Sequence, residues 1–178
     1  MLSNLQRPFN SNHHACQRRV FFQTSERYIV SIISLIFLQT VSIGITGGFA
    51  PPTPSAIYTF IRPLNRTSLY ITSSIRPDGT PSLQEAVPKS ISSEDHTASL
   101  VEELYDILKT IPTESPPGSQ DIYGLDTSIF WYNKELEWMN GGPEGCGGGT
   151  SEVQPTPEEK AKFKRAVDIV HEIVGKDE

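Results

Sequence analysis

Residues 28–48 read YIVSIISLIFLQTVSIGITGG, a run without one charged side chain, and Arg18, Arg19 and Arg27 precede it. A positive flank before an apolar core is the pattern of a secretory signal peptide. As a helix rising about 1.5 Å per residue, the same run is long enough to cross a bilayer. Its end favours the first reading: Thr46, Gly47 and Gly48 are small, as a signal peptidase pocket requires beside the scissile bond. Ser31, Ser34, Gln39, Thr40 and Ser42 dilute the apolar core, which makes a permanent anchor less favourable. Residues 1–48 are therefore expected to be a removable leader. The alternative is an anchor that displays an acidic domain from an endomembrane.

The texture changes after the apolar run. Residues 49–91 are rich in Ser, Thr and Pro, carry Arg62, Arg66, Arg76 and Lys89, and contain only Asp78 and Glu85 as acids. Acid-poor, hydroxyl-rich, Arg-bearing sequence is the composition of a transit peptide. Its prolines fix the backbone and remove donors, so this segment is expected to be disordered. The junction GGFAPP, with Gly47, Gly48, Phe49, Ala50 and Pro51, resembles the bipartite plastid presequence of diatoms and their relatives. There, small residues precede a Phe that becomes the first residue after cleavage. The resemblance covers about half the chain and concerns delivery alone; glycines at 47 and 48 depart from the usual Ala and Ser. It implies a cut between Gly48 and Phe49 and import into the chloroplast of an alga with a complex plastid. With no further apolar signal for the thylakoid lumen, the expected destination is the stroma or the stromal face of the thylakoid.

Charge divides the chain at a similar place. Residues 1–91 hold eight Lys/Arg against three Asp/Glu, and residues 92–178 hold seven against eighteen. Acidity of that degree argues against nucleic acid, because binding phosphate backbones needs clustered cations. Cys16 and Cys146 lie on opposite sides of the division. Loss of the leader would leave one thiol and no internal disulfide, which suits a reducing compartment.

Beyond residue 92 the pattern is amphipathic. Leu100, Leu104, Ile107, Leu108 and Ile111 recur at helical spacing, with Ser93 or Thr97 available as a cap and Pro112 as a stop. Thr156, Pro157 and Glu159 make an N-cap, a first-turn proline and a capping box. Phe163, Ala166, Val167, Val170, Ile173 and Val174 then supply an apolar face, and Gly175 offers a left-handed stop. Between these helices, Asp126 or Thr127 is placed to cap a short third helix over 128–139, with Trp131, Glu135 and Trp138 on one side and Asn140 and Gly141 at its end. The expected fold is mainly α: a small acidic domain of two to three helices over 92–178 with a Gly-rich loop, after a disordered presequence. A folded part of roughly 85 residues buries about two-thirds of its surface at best, which makes docking on a larger assembly attractive.

Catalytic signatures are weak. The glycines around Pro143, Glu144 and Cys146 lack the preceding strand and the Gly-Lys-Ser/Thr ending of a phosphate loop. Cys146 is a nucleophile only if His96 or His171 activates it, and acidic Glu144 and Glu152 oppose thiolate formation. One Cys and two separated His give no zinc spacing. The rings of Tyr123, Phe130, Trp131, Tyr132 and Trp138 are expected either to close the core or, on another face, to anchor a partner, with Trp131, Tyr132 and Trp138 as the interaction candidates. The expected function is non-enzymatic, without cofactor or metal: a peripheral subunit or assembly factor of a larger plastid complex, a photosynthetic one by location. The alternative from another class is a redox-active or redox-regulated enzyme using Cys146. Sequencing the N-terminus of the cellular protein separates leader from anchor: a start at or beyond Phe49 removes the anchor.

Overall fold

A computed structural model of the chain describes residues 35–43, 54–63, 66–141 and 149–175. Its elements run β1 (Leu35–Ile43), β2 (Ala56–Pro63), β3 (Ser68–Ile75), β4 (Gln84–Glu85), β5 (Lys89–Ser92), α1 (Asp95–Thr110), β6 (Thr127–Tyr132), β7 (Glu137–Met139) and α2 (Pro157–Val174). The strands make one seven-stranded antiparallel sheet in the order β4-β3-β2-β1-β6-β7, with β5 also pairing along β3. The expectation of a mainly α domain is overturned, because strand and helix contribute about equally. The expected disorder of residues 49–91 is overturned with it where they are described: β2 to β5 lie between residues 56 and 92, and β1 comes from the apolar run itself.

Alternation explains the strands. In β2, Ala56, Tyr58 and Phe60 are buried while Ile57, Thr59 and Ile61 are not, and in β3 Leu69 and Ile71 are buried between less covered neighbours. Period-two burial with β-branched and aromatic residues fits a half-covered pleated surface. Among the described residues, the prolines that suggested disorder avoid the ladder interiors. Pro54 and Pro63 flank or end β2, and Pro77 lies in the turn where Gly79 takes a φ of 77°, positions at which a missing donor costs little. Thr80 Oγ1 donates to the Pro77 carbonyl at 2.7 Å and closes that turn.

Residues 127–139 form a hairpin where a third helix was expected. Thr127, Ile129 and Trp131 are buried and Ser128, Phe130 and Tyr132 are not, which is the period of a strand. Asn133 makes the turn: its Oδ1 accepts from the Glu135 and Leu136 backbone N–H groups, at 2.8 and 2.6 Å. Asn140 ends the hairpin, accepting from Ile129 N and donating to Thr127 O.

Both helices lie where their periodicity places them. α2 has the full capping box at Thr156 and Glu159 with Pro157 in its first turn. Gly175 is right-handed at φ −75°, however, and Glu94, without a side-chain cap bond, occupies the N-cap of α1 in place of Ser93 or Thr97. Phe163, Ala166, Ile169, Val170 and Ile173 of α2 join Leu100, Val101, Leu104 and Leu108 of α1 in one core with the inward strand residues. Arg165 fastens α2 to α1 across the surface, donating from Nε and Nη2 to the two Glu103 oxygens at 2.7 Å each. That bidentate contact lowers the Glu103 pKa and raises that of Arg165.

The segment after α1 is tied to the core by aromatic rings. Tyr123 stacks on Phe163 with centroids 4.1 Å apart, Trp138 lies 6.2 Å from the same ring, and Trp138 Nε1 donates to the Ile111 carbonyl. The Tyr123 hydroxyl donates to the Pro112 carbonyl. Burial, and then the negative charges of Glu159 and Glu114, push its pKa far above the ordinary 10.0.

Chemical denaturation of the full chain checks this account. Ile129→Ala is expected to cost about 2–5 kcal/mol by opening the core, and Thr156→Ala about 1 kcal/mol by removing the cap. Because the fold favours neutral Tyr123, its contribution is complete below pH 10 and declines as the pH rises beyond that. Tyr123→Phe is expected to cost about 0.5–1.5 kcal/mol at neutral pH and to flatten the alkaline loss of stability.

Candidate functional site

Both helices pack on one face of the sheet, and the register assembles the other. Across the strands, Tyr70 pairs with Ile61, Ile61 with Leu38, Leu38 with Tyr132, and Tyr132 with Glu137. One pleat further, Thr72, Thr59, Thr40, Phe130 and Met139 form a second row. A third contains Ser74, Ile57, Ser42 and Ser128. Among the described side chains of these rows none is buried. Tyr70 is 43% exposed, Tyr132 49% and Met139 45%.

The chemistry of this face is uniform. Among the described residues of the rows, Glu137 is the only charged side chain, and Glu85 of β4 stands opposite Ser74 at the other margin. Apolar and aromatic groups concentrate in the first two rows, and hydroxyls fill the third. Such a surface offers apolar contact and short-range hydrogen bonding; its described rows hold no His, Cys, Lys or Arg for proton transfer, nucleophilic attack or phosphate binding. Tyrosines that are half exposed with apolar neighbours are the residue type that concentrates interface energy.

The aromatic candidates from the sequence divide between the two faces. Trp131 is 2% exposed and Trp138 is also buried; both serve the core. Tyr132, one residue from Trp131, points the other way because strand side chains alternate. Gly48, Phe49 and Cys146 lie outside the described residues. Of the two histidines weighed as partners for Cys146, His96 Nε2 lies 2.7 Å from Glu172 Oε1, and His171 meets the Tyr58 ring edge-on at 6.3 Å. Those neighbours account for both rings as contacts that tie α2 to α1 and to β2. Among the described residues no cluster of three or more His, Cys, Asp or Glu is arranged to hold a metal ion, and no helix is long and apolar enough to cross a membrane.

Sequence reasoning named Phe130 among the rings but missed Ile57, Ile61, Tyr70 and Met139. Ile57, Ile61 and Tyr70 lie in AIYTFIRP and SLYITSSI, whose burial alternates, but composition led to a transit-peptide reading of residues 49–91, and Met139 fell within the expected third helix. Comparison with protein-family models, with curated proteins and with solved structures finds no match for this chain.

The two faces give a contrast that thermal denaturation resolves. Trp131→Ala is expected to cost about 3–5 kcal/mol as a large core deletion. Tyr132→Thr, at its outward neighbour, is expected to stay within about 0.5 kcal/mol of the parent, as a surface change does.

Proposed function

We propose that this protein is a non-enzymatic binding module that docks through the uncovered sheet face, as a peripheral subunit or assembly factor of a larger plastid complex. The observation that carries the reading is the uncharged surface made by Tyr70, Ile61, Phe130, Tyr132 and Met139 in a chain with a formal net charge of −6. In an acidic protein, a face whose charges stand only at its margins, Glu137 and Glu85, has lost much of the repulsion that elsewhere keeps neighbours away. The plastid location rests on residues 47–51 alone, and a photosynthetic host is inferred from that location and not from a binding motif.

The same reading constrains processing. Removal of residues 1–91 would take β1 to β4 and most of β5, leaving two of the sheet's strands intact beneath the helices. A working protein with this fold keeps residues 35–43 as well as 54–92, so we propose that neither the leader cut nor the transit-peptide cut removes them from the folded protein.

Size-exclusion chromatography of plastid extracts in mild detergent tests the proposal. The tagged full-length protein is expected in a high-mass fraction, and Tyr132→Glu with Tyr70→Glu is expected to move it to monomer mass. Elution of the parent at monomer mass in every detergent condition would defeat the proposal.

A further inference from the structure

The connection from α1 to β6 contains Glu114 and Asp121, and the fold meets these two acids very differently. Asp121 accepts three backbone N–H groups: Tyr123 and Gly124 donate to its Oδ1 at 3.2 and 2.9 Å, and Asp126 donates to its Oδ2 at 2.8 Å. Glu114 is only 4% exposed, yet it accepts from a single N–H, that of Gly118, to Oε1 at 2.9 Å. Its Oε2 is buried without a donor, and the Oγ of Ser119, the residue after Gly118, is buried without a partner as well. Among the described residues no Lys, Arg or His forms an ion pair with Glu114.

A carboxylate taken out of water needs a counter-charge or a full set of donors. Buried oxygens that find neither in the protein mark the place of a bound water or ion. The backbone on either side is fixed. Ser115 N–H donates to Ser151 Oγ at 3.1 Å, the Ser115 carbonyl accepts from Glu152 N–H at 2.8 Å, and Tyr123 further along the connection stacks on Phe163. These contacts hold Glu114 on the inner side of the connection.

We propose that Glu114 Oε2, with Ser119 Oγ of the same loop, is a binding site for one buried monovalent metal cation, Na+ or K+. Both atoms are oxygens, the ligand type of hard cations. A water molecule could donate to both of them but would leave the carboxylate charge uncancelled in a poorly screened interior, whereas a cation neutralises it. The valence follows from the neighbours. Asp121 has both oxygens engaged by N–H groups, and Glu159, whose charge also reaches Tyr123, accepts from Thr156 N–H in the capping box. One carboxylate is therefore left for the ion, fewer than the all-oxygen cages of Ca2+ commonly supply, and Mg2+ keeps several of its own waters. The connection leads directly into β6, whose Phe130 and Tyr132 stand on the uncovered face, so an ion at Glu114 steadies the segment from which that face is hung.

The test is the thermal midpoint of the full chain in NaCl, KCl and tetramethylammonium chloride at equal ionic strength, the last cation being too large for a buried site. Na+ or K+ is expected to raise the midpoint saturably, by about 2–4 °C over tetramethylammonium. Glu114→Gln keeps the shape and removes the charge; it is expected to erase that difference and to melt at or above the parent in tetramethylammonium. Ser119→Ala is expected to raise the half-saturating ion concentration by about 3-fold or more. Equal parent midpoints in the three salts overturn the proposal and leave the two oxygens to water. A rise that persists in Glu114→Gln also overturns it, since the salt then acts elsewhere, and a rise given by Ca2+ or Mg2+ but by neither monovalent ion overturns the valence. Should Glu114→Gln fail to fold, Ser119→Ala decides: an unchanged half-saturating concentration sinks the site.

Discussion

Two hydrogen-bonded ladders meeting on one strand hold this molecule together. β1 joins β2, β3, β4 and β5 on one side to β6 and β7 on the other, so the most apolar part of the chain serves as the middle of its sheet. The preference is physical. The run LIFLQTVSI is paired with β2 on one edge and, from Leu38 to Ile43, with β6 on the other, and β-branched residues favour such a position. As a helix, the same residues would have to place their hydroxyl and amide groups in lipid or against an apolar core.

Coverage on one side is a result of having two helices. α1 and α2 pack together and against the inward strand residues in a single core, and the described residues of the outward rows are not buried. The helix-bearing side is charged and tied by Arg165, Glu103, Glu172 and His96, whereas the outward side is nearly free of charge. One molecule thus presents two surfaces of different chemistry, and only the second lacks the solvated groups that make a protein surface self-sufficient in water.

The helices were legible in the sequence because their signals are local. A capping box, a first-turn proline and apolar residues at spacings of three and four all lie within the element they specify. Sheet pairing is not local. That residues 35–43 lie beside residues 127–132 is decided by contacts distant in sequence, and composition misled where it outweighed period. Residues 56–61 and 68–72 alternate as strands should, yet their Ser, Thr and Pro content suggested disorder. Residues 127–139 contain Trp131, Glu135 and Trp138 at helical offsets, but the β-branched and aromatic run TSIFWY and the Asn133 turn prevailed. Of the outward face, Tyr132 and Phe130 were named from their residue type, while Ile57, Ile61 and Tyr70 were hidden by the reading of the first half as presequence.

The long separation between the partners of β1 also bears on synthesis. Its β2 edge closes soon after emergence, but the β6 edge waits for roughly 90 further residues, about 5–20 s at a ribosomal pace of 5–20 residues per second. Throughout that interval a greasy segment is half satisfied and open to capture. Until β6 has been made, one edge of β1 has no neighbour in the sheet.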